Sequence, residues 1–196
     1  TDDAAAFAPY RATVNGQRLA ILGATQVLDE AFITAWASGP ATPGLASAKQ
    51  ESKLLAAVRR ARASADTVIV YLHWGREGAA CPTERQRSLA PRLIAAGADV
   101  VVGSHAHVLL GGGWTGEGAY VDYGLGNFVF YANGGAGAQT GVLVLTVQGR
   151  AVTRATWKPA VISGGRPFPI TEDAADAAVT SWDLLRGCAG LLERPS

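Results

Sequence analysis

The chain has no methionine anywhere among its 196 residues, position 1 included, so the expectation is a processed product or a fragment, with an export signal or anchor lost upstream of Thr1. It has two cysteines, Cys81 and Cys188, and no Cys-x-x-Cys, so neither a thiolate zinc site nor a dithiol redox motif is supported. The two could form one disulfide in an exported protein, or stay apart as small apolar residues. Net charge is only +1, so nothing argues for nucleic acid or an anionic membrane surface as partner. No apolar run is long enough to span a bilayer. Missing too are a Walker-type phosphate loop, a Gly-x-Gly-x-x-Gly fingerprint and a Gly-x-Ser-x-Gly elbow.

Histidine is also rare, and its placement is informative. All three histidines follow apolar runs that read as strands: Thr67-Val-Ile-Val-Tyr-Leu-His73 and Asp99-Val-Val-Val-Gly103-Ser104-His105-Ala106-His107. Ligands of open α/β sheets gather at the carboxyl ends of strands, and neutral imidazole is the commonest side-chain metal ligand. His73, His105 and His107 are therefore the candidate ligands for zinc, manganese or iron. The plainer alternative is a packed His73 and two loop histidines satisfied by backbone. Glu77 could accept from an imidazole or carry a proton. Asn127, in Tyr123-Gly124-Leu125-Gly126-Asn127-Phe128-Val129-Phe130, could bond a substrate oxygen or pin its own loop.

An apolar fraction of 48% supplies a core for one domain with a small appendage. Residues 1–10 read as an untethered lead-in. Asn15-Gly16 predicts a hairpin over residues 11–23. A short helix is expected over 26–37, a breaker-rich loop over 38–47 and a helix over 49–64. Thr83-Glu-Arg-Gln86 fits a capping box, opening a helix that ends at Gly97, with a kink or restart at Pro91. Helix, strand, loop, helix, strand over 49–103 implies two parallel strands. Short β segments follow at 119–123, 126–131, 141–147 and 152–157, with Gly111-Gly112-Gly113 in a loop and a helix over 172–192.

Taken together, His73-Trp74-Gly75-Arg76-Glu77, Gln86, Ala96-Gly97-Ala98-Asp99 through Val108 and Tyr123 through Phe130 resemble the bacterial capsule-synthesis CapA family, also called the poly-γ-glutamate synthesis PgsA type. That family looks like a branch of the calcineurin-like metallophosphoesterases. The resemblance is close over residues 8–131. Ser104 and Ala106 stand where the family has histidine and proline, and Gly124 where it has serine. The resemblance implies an α/β layered fold, part of a four-layer αββα metallophosphoesterase-like sandwich whose N-terminal portion is missing from this chain. Residues 1–170 would be the C-terminal portion of that domain and 171–196 a C-terminal helix packing on it.

The implied function is a metal-dependent, hydrolase-like protein of capsule or poly-γ-glutamate biosynthesis or export. His73, His105 and His107 would bind metal, and His73, Glu77 and Asn127 would serve catalysis. The cofactor would be a divalent metal (Mn, Fe or Zn), dinuclear once the upstream segment of the same protein is present. Poly-γ-glutamate, another anionic polymer or a phosphoester would be the substrate, and membrane subunits of capsule synthesis the partners. The location would be extracytoplasmic, at the cell envelope, anchored through a segment not in this chain. Two rivals stand beside this reading. One is a non-catalytic polyanion- or partner-binding component, with Arg76, Arg85, Arg87 and Arg92 as carboxylate contacts. The other is a plain metallophosphatase of small phosphoesters.

Overall fold

Asn15 and Gly16 both adopt positive φ, as the expected hairpin turn requires, and join β1 (Tyr10–Val14) to β2 (Gln17–Thr25). The computed structural model describes residues 2–131 and 134–195. β3 (Thr67–Trp74) and β4 (Val100–His105) continue the same sheet in parallel with β2. β5 (Gly112–Trp114) and β6 (Tyr120–Asp122) complete it in the order β1-β2-β3-β4-β6-β5. The edge strands β1 and β5 run antiparallel to their neighbours.

The period of two along each strand divides the sheet between two cores. On one face Val68, Val70, Leu72 and Val101 pack against Leu54 and Val58 of α3 (Glu51–Arg62) and Leu89 and Leu93 of α4 (Glu84–Ala96). On the other face Val100 and Tyr120 meet a second sheet, β7 (Gln139–Gln148), β8 (Ala151–Ser163) and β9 (Arg166–Pro169). Leu143, Leu145 and Val147 of β7 and Val152 of β8 supply that contact. α5 (Glu172–Leu184) lies on β8, with Trp157 and Trp182 stacked at 5.1 Å between centroids. The result is a mixed α/β sandwich of helices, sheet and sheet. No helix of the described residues is long and apolar enough to cross a membrane.

Several boundaries depart from the sequence reading. The lead-in 1–10, of which Thr1 lies outside the described residues, is tethered. Asp2 caps a one-turn helix α1 (Asp3–Ala6), Asp3 pairs with Lys53 at 2.7 Å, and Phe7 is buried. The helix expected over 26–37 shrinks to a 3₁₀ turn (Glu30–Phe32) and one α turn, α2 (Ile33–Trp36). The predicted capping box at Thr83 and Gln86 is present, but α4 runs through Pro91 without a restart. Burial of Leu89 and Leu93 offsets the roughly 3 kcal/mol that an internal proline costs. Residues 126–131 form no strand: Gly126 has φ +70°, and the Asn127 side chain takes the backbone bonds a ladder would use. Gly112-Gly113, read as loop, pair with β6 because a close neighbour leaves room only for glycine. The final helix breaks after Leu184 into a short α6 (Arg186–Ala189).

β6 ends in a wholly buried carboxyl, Asp122. One oxygen accepts the Gly124 N–H at 2.9 Å and the other has no partner among the described residues. Burial raises its pKa from 3.8 to about 7, against the lowering pull of the Gly124 N–H. A carboxyl whose folded pKa exceeds its unfolded value destabilises the fold as pH rises between the two. Stability should therefore fall from about pH 4 to pH 7 and level off above, by at most about 4 kcal/mol. Asp122→Asn should remove this slope and stabilise the protein by about 1–4 kcal/mol at pH 8. Denaturant titrations of both proteins across pH check this, and parallel curves would refute it.

Candidate metal centre

Parallel pairing of β3 with β4 aligns His73 with Ser104 and Trp74 with His105, so two strand ends deliver their histidines side by side. The His73 and His105 rings lie 4.6 Å apart between centroids, and His105 and His107 lie 5.9 Å apart. Both His105 (φ +99°) and His107 (φ +58°) occupy the left-handed region of backbone space. Non-glycine residues there cost on the order of 1 kcal/mol or more and persist only where the surroundings impose them. Here the buried Ala106 between them and the β4 ladder before them do so.

The platform beneath the histidines is close-packed. A Cβ on Gly103 would lie 2.2 Å from both the Trp74 indole nitrogen and the Tyr123 carbonyl oxygen. That carbonyl accepts from Trp74 Nε1 at 3.0 Å and from Gln86 Nε2 at 3.3 Å. Gln86, wholly buried, also packs on Gly75 (φ +95°), which turns the chain after Trp74. Its oxygen accepts the Thr83 N–H at 2.9 Å, so the capping group of α4 doubles as a support of the site.

Past that turn the loop 75–83 comes back over the His105–His107 turn. Gly78 N–H donates to the Ala106 carbonyl at 2.8 Å. This brings the exposed Glu77 into a group with His105 and His107 whose ligand atoms all lie within 4.8 Å of one another. Glu77, His105 and His107 could hold a metal ion. His73 abuts His105 but stands outside this tight trio, with Ser104 Oγ 3.5 Å from its Nδ1.

Three observations test whether this donor set suits a metal. Burial, then the neighbouring His105 and His107, hold His73 below the usual histidine range. Burial also lowers His105, outweighing the upward pull of the Glu77 carboxylate, while His107 adds to the lowering. Both rings are therefore neutral near pH 7 and keep a lone pair. The third observation concerns Asn127. Its Nδ2 donates to the carbonyls of His107 (3.1 Å) and Gly137 (2.9 Å), so its Oδ1 must accept. Oδ1 faces His107 Nδ1 at 2.7 Å, which makes Nδ1 the protonated nitrogen and leaves Nε2 free to ligate. Phe130 stacks on the same ring at 4.8 Å. A carboxylate and two imidazoles, one with its Nδ1 engaged by an amide oxygen, are a fitting set for a divalent transition metal.

The sequence missed that Gln86 and Trp74 bear on the site, although the capping box marked Gln86. It also left open the cysteines, which form a disulfide, Cys81–Cys188, with Cα atoms 5.7 Å apart. Two of the four arginines considered as polymer contacts are engaged. Arg87 donates to the Cys188 carbonyl at 2.6 Å, and Arg92 pairs with Glu51.

Comparison with known proteins shows the family of the chain. "PGA biosynthesis protein CapA" of Bacillus subtilis (strain 168) is 34% identical over 167 residues, 82% of this chain and 41% of that protein. "Capsule biosynthesis protein CapA" of Bacillus anthracis is 36% identical over 165 residues, 81% of this chain and 38% of that protein. The chain thus spans about two-fifths of the length of these relatives. A crystal structure of a hypothetical protein from Thermus thermophilus superposes with a TM-score of 0.43 and 20% identity, covering 83% of this chain and 60% of that one. The family described as bacterial capsule synthesis protein, PGA_cap, matches residues 1–132, which contain the Trp74–Glu77 turn, the His105–His107 turn and Asn127. By that match and these relatives, the chain belongs to the bacterial capsule synthesis PGA_cap family.

Proposed function

We propose that the chain carries a metal-dependent, hydrolase-like site serving capsule or poly-γ-glutamate biosynthesis at the cell envelope. The observation that carries this reading is the convergence of Glu77, His105 and His107, with the His107 tautomer fixed by Asn127. Glu77 Oε, an imidazole nitrogen of His105 and Nε2 of His107 would hold a divalent ion, Mn, Fe or Zn. Such an ion polarises a phosphoryl or acyl oxygen and lowers the pKa of bound water. His73, neutral and beside His105, is placed to bind a second ion or to hand a proton to a leaving group. In the whole protein the site would be dinuclear, with the remaining ligands drawn from sequence outside this chain. Asn127 keeps His107 oriented rather than touching substrate.

The substrate would be an anionic polymer such as poly-γ-glutamate or a phosphoester, and the partners the membrane subunits of the synthesis machinery. Support for this comes from the names of the relatives, both assigned to capsule or PGA biosynthesis. Elemental analysis of the purified full-length protein tests the reading. Stoichiometric manganese, iron or zinc is the expected result. A protein free of metal after reconstitution with each would favour the non-catalytic polyanion-binding alternative.

A further inference from the structure

Glu77 differs from the two histidines in how it is held. His105 ends a strand of the central sheet and His107 follows two residues later. Glu77 lies in the irregular loop 75–83, exposed, outside any ladder. Its near anchor is the single bond from Gly78 N–H to the Ala106 carbonyl. Its far anchor is covalent: Cys81, four residues on, is bonded to Cys188 in α6, 107 residues away in sequence.

α6 in turn is fixed to the chain that leaves His107. A Cβ on Gly111 would lie 2.6 Å from the Leu185 carbonyl oxygen and 2.9 Å from the Ala189 side chain, so these segments touch. Arg186 Nε donates to the Gly112 carbonyl at 3.0 Å. Leu192 exchanges two backbone bonds with Trp114 at 2.7 and 2.9 Å. Arg87 of α4 holds the Cys188 carbonyl at 2.6 Å. A closed circuit results: Glu77, Cys81, Cys188, α6, Gly111, His107. The disulfide is the covalent link between the carboxylate side of the site and the imidazole side, in addition to the β3–β4 pairing and the Gly78–Ala106 bond.

We propose that the Cys81–Cys188 disulfide is a redox-controlled brace holding Glu77 against His105 and His107, so that tight divalent-cation binding requires the oxidised pair. This rests on the metal-binding reading above. Cys81 is exposed, so a reductant can reach the bond. A water-soluble phosphine breaks the S–S bond and is itself oxidised to its oxide. Water supplies the oxygen and the two protons that complete the thiols. Oxidation by a disulfide oxidant reverses this: two thiols lose two protons and two electrons, and the oxidant becomes a dithiol. In the reduced chain the loop keeps the Gly78 tether and its ends, fixed by Gln86 at Gly75 and Thr83, while its middle loses the cross-link and the histidines keep the end of β4. Metal loading would thus follow disulfide formation, which occurs in oxidising compartments.

Calorimetric titration with Mn²⁺ tests this on four samples: wild type and Glu77→Gln, each oxidised and phosphine-reduced. Oxidised wild type should bind at least about 10-fold more tightly than reduced, the scale of an outer support lost from a metal site. In Glu77→Gln, oxidised and reduced protein should bind equally, because the brace has nothing left to position. Equal binding by oxidised and reduced wild type would overturn the proposal. So would a redox effect that persists in Glu77→Gln, which would mark a general loosening or unfolding that also reaches the histidines. No Mn²⁺ binding by the oxidised wild type would be a separate failure, that of the metal site itself, and the brace would fall with it.

Discussion

His105→Ala should abolish stoichiometric metal binding, if the proposed site holds an ion, and leave the fold in place. His105 is one of three donors within 4.8 Å, and removing it leaves a carboxylate and one imidazole. Loss of a mere outer partner costs about 10–100-fold in metal affinity, so loss of a ligand should exceed about 100-fold. The fold should tolerate the change for two reasons. Alanine carries the same Cβ as histidine at φ +99°, so the change adds little backbone strain, and His105 is only half-buried. The bonds that define the platform, from Trp74 and Gln86 to the Tyr123 carbonyl, do not involve the imidazole. Metal stoichiometry measured beside far-UV circular dichroism checks both halves. Unchanged stoichiometry would remove His105 from the ligand set, and a collapsed spectrum would show that the ring is a packing element.

Gly103→Ala acts in the opposite way, by striking the platform and sparing every donor. The added methyl would meet the Trp74 indole nitrogen and the Tyr123 carbonyl at 2.2 Å each, and neither can retreat. Trp74 is wholly buried, and Tyr123 is 5% exposed. Overpacking of a core costs about 1–3 kcal/mol, and the broken indole–carbonyl bond leaves the buried Trp74 N–H unpaired at about 1–3 kcal/mol more, the carbonyl keeping Gln86. The expected loss is therefore about 3 kcal/mol or more, a drop of roughly 6–12 °C in Tm for a chain of this size. Gly23→Ala in β2 is the control. Nothing lies within 4 Å of its would-be Cβ, so its effect should stay within about 1 kcal/mol. Chemical denaturation of the two variants checks the contrast, and similar losses would refute the steric argument.

Local chemistry was legible in the sequence wherever it is written in neighbouring residues. The Asn15-Gly16 turn, the Thr83–Gln86 box and the apolar runs before His73 and His105 all depend on short spacings, and each stands in the structure. The family resemblance was readable for the same reason, because its motifs are contiguous. What escaped depends on partners far away in the chain. β5 exists because Gly112 and Gly113 can approach Trp182 and Leu192, which no local pattern announces. The lead-in is ordered by Lys53 and Ser38. The Cys81–Cys188 pairing closes 107 residues of chain. Glu77 was a candidate from its distance to His73. What the structure adds is its nearness to the other two histidines, through a loop that folds back over Ala106. The segment 126–131 misled because its alternating apolar residues look like a strand, while Asn127 and the left-handed Gly126 divert its backbone.

The β3–β4 register sets the gauge of the site. Neighbouring strands of any sheet stand about 4.7–4.9 Å apart, a distance fixed by backbone hydrogen bonds and indifferent to side chains. His105 stands one position beyond the residue paired with His73, and its left-handed backbone turns the ring to within 4.6 Å of the His73 ring. Changing the length or charge of the loops around these strand ends would leave the register of β3 and β4, and the backbone interval between the two histidines, in place. Glu77, by contrast, is placed by the loop 75–83 rather than by a strand. On such a scaffold the presentation of the carboxylate can change without altering how far apart the two strand ends stand.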